Sequence, residues 1–113
     1  MALERAANAR VQEFAQLEIN EQTAFAASLG ARPGGVPLRP DQAQLLQGLA
    51  ATSPGSRFDR AYVRGQIAGH EELLALNTAY AQGGSDTVGR AIANVAVPSI
   101  QTHLTILGRL RRA

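Results

Sequence analysis

The stretch SRFDRAYVRGQIAGHEELLALNTAYA, residues 56–81, decides how the chain folds. Phe58, Tyr62, Ile67, Leu73 and Leu74 recur at helical spacing, which predicts one long helix reaching about Ala81. Ser56, followed three residues later by Asp59, forms a capping box at its start. TSPGS at 52–56 and QGGSD at 82–86 punctuate it on either side.

Toward the C-terminus, Ser85 is placed to cap a last helix that ends near Arg112. Pro98 falls inside it, where it removes a backbone donor and is expected to kink or loosen the helix. Toward the N-terminus, Asp41 with Gln44 resembles a second capping box, opening a short helix through Leu45, Leu46 and Leu49. Before it, GARPGGVPLRP at 30–40 is too rich in Pro and Gly for regular structure and reads as a loop within the domain. Residues 2–29 read as helix, with Leu3, Ala7, Val11, Phe14, Leu17, Glu21, Phe25 and Leu29 at spacings of three and four, and Asn8 as an internal N-cap.

Composition agrees with this. A chain of 113 residues, 45% hydrophobic, suits a single domain over residues 2–112. With aromatics at 4%, the core must come mainly from Ala, Leu, Val and Ile on helices packed against helices. The fold class is therefore all-α: a bundle of three long helices and one short one.

The charge balance narrows the partners. All eleven basic residues are Arg, against nine acids, so a pI near 9.9 reflects a net charge of only +2. Arg109, Arg111 and Arg112 complement the negative pole of the last helix, and no aromatic interleaving accompanies them, so no nucleic-acid partner is expected. The absence of cysteine excludes disulfides and thiolate metal sites. MALERAANAR has no apolar core of a secretory signal, and no run approaches the roughly 20 apolar residues of a membrane span.

Four polar residues stand on faces that should be apolar. Ile67, His70, Leu74 and Asn77 follow a three-four-three spacing, and Ala96, Ser99, His103, Ile106 and Leu110 behave alike. Glu18 and Glu21 share a face between Phe14 and Phe25. A buried carboxylate with no partner costs several kcal/mol or stays protonated, so convergence with the imidazoles needs His⁺, Arg or a metal ion. Glu18, Glu21, His70 and His103 are thus the candidate metal ligands, for iron, manganese or zinc. Against that, Ile67 and Ile100 stand where the Glu-x-x-His pairs of di-iron bundles carry glutamate. Hydrogen-bonded core histidines, a metal or anion site, and acid-base work all remain open for His70 and His103. Glu71 and Glu72 read as a solvated face, Tyr62 and Tyr80 as amphipathic packing residues. No residue is assigned a catalytic role: no nucleophile triad can be assembled, and GGSD lacks the context of a phosphate loop.

RVQEFAQLEINEQTAF, FDRAYVRGQIAGHEELLALNTAYAQGG and VAVPSIQTHLTIL, in that order, resemble the bacterial domain of unknown function 4142, over roughly residues 3–110. The sharpest points are FDRAYV with the His70 that follows, and Pro98 four residues before Thr-His-Leu. The resemblance implies a ferritin-like, up-down helical bundle that is exported or periplasmic. Members often carry Asp-His where this chain has Glu21 and Gln22, so a third histidine is replaced by an amide. They also usually have a leader and a further helix before ALERAANARV, so the first family helix is expected to be largely missing here. A bundle lacking a helix leaves an apolar groove, which implies self-association or an unknown protein partner. The expected function is a non-enzymatic interaction or stress-associated module of the bacterial envelope with no cofactor. The alternative is a ferritin-like metal-binding or redox protein using His70, His103 and Glu18 or Glu21. The absent di-iron spacing and the lost histidine favour the first.

Overall fold

The computed structural model describes residues 2–28 and 40–112, and among these every regular element is a helix. They are α1 (Ala2–Arg5), α2 (Ala9–Ser28), α3 (Pro40–Ala51), α4 (Ser56–Gly83) and α5 (Thr87–Arg112). The all-α expectation holds, with one element more than the sequence suggested. Of the loop predicted at 30–40, residues 30–39 lie outside the described residues, as do Leu29 and the packing of Phe25, Leu45 and Leu46, while Pro40 is helical. None of the helices described is long and apolar enough to cross a membrane.

The helical stretch read from residue 2 is interrupted at Asn8, the internal N-cap, and forms two helices. The chain leaves helical geometry at residues 6–8, and Asn8 begins α2 by accepting the Arg10 amide on its Oδ1 at 2.8 Å. The face that α2 buries also differs from the expected one. Val11, Phe14 and Ala15 are enclosed, whereas Leu17 is 51% exposed and Ile19 is exposed beside it. The buried stripe therefore runs 11, 14, 15, 18, and it places Glu18, not Leu17, next in line. Leu3 and Ala7 are likewise exposed, and Ala2 and Ala6 take the inward positions.

Two helix starts, and the partner of Asp59 at a third that begins at Ser56 as expected, differ from expectation for physical reasons. α3 opens at Pro40, since a proline in the first turn has its φ preset and no donor to lose. Asp59 does not close a capping box with Ser56. Its carboxylate instead accepts the amides of Ala7 and Asn8 at 2.9 and 2.8 Å, holding the corner between α1 and α2. Gly55, at φ 119°, turns the chain into α4 and donates its amide to the Arg5 carbonyl at 3.0 Å, while Arg5 Nη1 donates to the Thr52 carbonyl. At α5 the cap is Asp86 rather than Ser85: its Oδ2 accepts the Gly89 amide at 2.7 Å, and a carboxylate is favoured at the positive end of a helix.

The described residues group into two compact units, Met1–Tyr62 and Val63–Ala113. In the first, Ala2, Ala6, Val11, Phe14, Ala15, Phe58 and Tyr62 are buried, and the Phe58 and Tyr62 rings stack at 6.0 Å. In the second, Val63, Ala93, Ala96, Ile100 and Leu107 are buried. Tyr80 shapes the turn of this unit: its hydroxyl accepts the Asp86 amide at 3.3 Å, and its ring lies against Gly84 and Gly89. A Cβ on Gly89 would fall 2.8 Å from Tyr80 Cε1, so a larger residue there would have to displace the tyrosine ring. Pro98 lies within α5, and its carbonyl accepts the Thr102 hydroxyl at 3.0 Å.

Candidate metal centre at the histidine pair

The site begins with two stripes of the second unit. On α4, His70 follows the enclosed Val63 by two helical turns and is itself only 4% exposed. On α5, Ala93, Ala96, Ile100 and Leu107 are the buried positions, and His103 falls on that series between Ile100 and Leu107, half-buried. The three-residue connection at 84–86 turns α5 back so that the two imidazoles meet.

Their hydrogen bonds fix what each nitrogen can do. His70 Nδ1 lies 2.7 Å from the Gln66 carbonyl, one turn back on its own helix. A carbonyl only accepts, so Nδ1 carries the proton, and in the neutral ring Nε2 keeps an in-plane lone pair. That lone pair faces His103 Nδ1 at 3.3 Å, with the ring centroids 5.4 Å apart and the planes tilted by 59°. Such a backbone anchor on the far nitrogen is the usual support of a metal-ligating histidine, since it fixes both tautomer and ring orientation.

The separation also has the size a metal ion requires. Two imidazole nitrogens bound at about 2.0–2.1 Å with a tetrahedral angle between them stand about 3.3–3.4 Å apart. In a hydrogen bond, 3.3 Å is slightly long for a nitrogen donor, which prefers about 2.7–3.2 Å. One arrangement thus serves as a modest hydrogen bond without an ion and as two adjacent ligands with one.

The carboxylates belong to the first unit. Glu18 is half-buried on the inward stripe of α2, and Glu21 is half-buried one turn further on. Burial pushes the Tyr62 phenol up to about 12, and the negative charge of Glu18 adds to the effect. Glu71 and Glu72 are exposed, as their reading as a solvated face requires.

Of the residues singled out by sequence, His70 and His103 are brought together, and Glu18 is brought beside Tyr62. The Gln66 carbonyl was missed because it belongs to the backbone, so no residue type signals it. Asp59 was recognised, but with the wrong partner, because the amides that donate to it lie 52 and 51 residues away. A family model described as domain of unknown function 4142 matches residues 1–110. No curated protein and no solved structure matches the chain.

Proposed function

The chain belongs to the family called domain of unknown function 4142, whose description names no activity, and from its own side chains we propose that it binds a transition-metal dication. His70 and His103 would be the nitrogen ligands, and the sequence reading offers Glu18 or Glu21 as the carboxylate that would accompany them. One observation carries this reading: the His70 Nδ1 bond to Gln66 turns Nε2, with its lone pair, toward His103 Nδ1 at 3.3 Å. Ring nitrogens with a carboxylate oxygen suit zinc, iron(II) or manganese(II) better than calcium or magnesium, which prefer all-oxygen shells. A redox role of ferritin-like type would follow only if the bound metal is iron.

Calorimetric titration and elemental analysis of the full chain test this, with His70→Ala and His103→Ala as comparisons and circular dichroism as a control for folding. Saturable binding of one ion per chain, lost in both variants, is the expected result. Binding unchanged in folded variants would reject the site.

A second reading has its own support. Leu73, Leu76 and Tyr80 on α4, with Val88 and Val95 on α5, are exposed, Leu76 to 57% and Val95 to 67%. Leu73, Leu76 and Tyr80 follow helical spacing along one face of α4, which favours an interaction module, and we infer self-association or capture of a protein partner. An exported, envelope location follows from the family resemblance and belongs to the same proposal. Sedimentation equilibrium at micromolar concentration should then give a mass above the monomer, lowered by Leu76→Gln. A monomer in both proteins would remove the self-association part.

A further inference from the structure

We propose that Arg64, Arg109, Arg111 and Arg112 make a basic patch of the second unit that docks on an anionic phospholipid surface. This surface needs no metal ion and no residue of the first unit.

Three of these arginines lie in the last turn of α5, and the fold adds the fourth. His70 stands about 20 Å of helix before the turn at 84–86 and His103 about 24 Å after it, yet their ring nitrogens are 3.3 Å apart. α5 therefore runs back along α4. Arg64 precedes His70 by six residues and Arg109 follows His103 by six, so both stand about 9 Å from the pair in the same direction. Arg111 and Arg112 continue that way by less than one turn. All four side chains are exposed.

Charge decides what this surface can do. α5 carries no acidic residue, and the part of α4 that belongs to the second unit carries only Glu71 and Glu72, at the level of the histidines. Along the helix they stand about 10 Å or more from Arg64, beyond the screening length of about 8 Å in physiological salt. Asp86, the remaining acid of the unit, sits at the far turn, as does Arg90. The negative pole of α5 amounts to about half a charge, so it offsets less than one of the three guanidiniums beside it. A concentrated positive charge remains, and a guanidinium pairs with phosphate oxygens through two parallel hydrogen bonds. A nucleic acid fits less well. α5 has no aromatic residue on which a base could stack, and no row of cations along its length to follow a groove. The phosphates of an anionic bilayer ask only for cations gathered in one place, and each arginine near such a surface strengthens binding about fivefold.

The test sediments the full chain with vesicles of mixed phosphatidylglycerol and phosphatidylcholine, and with vesicles of phosphatidylcholine alone, at low and high sodium chloride. The expected result is binding to the anionic vesicles alone, reversed by high salt. Arg64→Gln should weaken it about fivefold, and Arg109→Gln combined with Arg111→Gln about 25-fold. Arg90→Gln, about 28 Å of helix from Arg109, should leave it nearly unchanged. Circular dichroism verifies that each variant is folded. Equal pelleting with both kinds of vesicle, or none with either, would overturn the docking surface. A loss in Arg90→Gln as large as that in Arg64→Gln would overturn it as well, since net charge rather than placement would then set binding. Tighter binding to a mixed-sequence DNA duplex at the same salt would overturn the choice of a lipid surface.

Discussion

Phe58 and Tyr62 show how much a single side chain contributes in a chain so poor in aromatics. Phe58 is fully enclosed and stacked on Tyr62, so Phe58→Ala removes a whole ring from a core otherwise made largely of alanine and valine. Its expected cost is about 3–5 kcal/mol, read from the midpoint of urea unfolding. Tyr62 gives a pH signature. Its phenol titrates at about 12 when folded against 10.0 in the unfolded chain, so the native state holds the proton more tightly. That stabilisation is fully present below pH 10 and is lost as the pH rises through 12, a change on the order of 2–3 kcal/mol at 1.36 kcal/mol per unit. Denaturant melts at rising alkalinity should show this loss and show it reduced in Tyr62→Phe. At this scale the sequence was only partly legible. It placed Glu18 among apolar neighbours but chose Leu17 as the buried residue, because three- and four-residue spacings fit two adjacent stripes of one helix equally well. Only the contacts of Val11, Phe14 and Ala15 choose between them.

At the scale of elements, α2, α4 and α5 were legible because each repeats its apolar positions over five turns or more, whereas their ends were not. Ser85 and Asp86 are adjacent and both are good caps, and the choice falls to the residue whose oxygen reaches the Gly89 amide. Asp86→Ala should therefore cost about 1 kcal/mol, and Ser85→Ala about zero, by thermal unfolding. Asp59 is a larger case. It serves two amides at the α1–α2 corner, so Asp59→Ala should cost about 1–3 kcal/mol, more than a cap of its own helix would. The histidines follow the same logic: periodicity put each on its stripe, but their meeting depends on the register between α4 and α5. That register is set by the turn at 84–86, where Tyr80 packs on two glycines. Gly89→Val should disturb this turn and weaken metal binding without touching either ligand, which calorimetry would detect as a lower affinity.

For the whole molecule, composition and helical period led to the right class, and the motifs FDRAYV and Pro98 with Thr-His-Leu led to the right family. What the motifs do was hidden until the chain was folded, since their partners are remote in sequence. The bond between Asp59 and the Ala7 and Asn8 amides carries a final consequence, concerning time rather than energy. Those two hydrogens are held by a side chain from another helix, so neither can be protected by local helix formation alone. Their exchange with deuterium must wait for the corner at residues 6–8 to come off the Asp59 carboxylate, however early α4 winds in folding. They form a built-in clock for that opening, and replacing Asp59 by alanine should make both exchange at nearly the rate of an unstructured peptide while the centre of α4 stays slow.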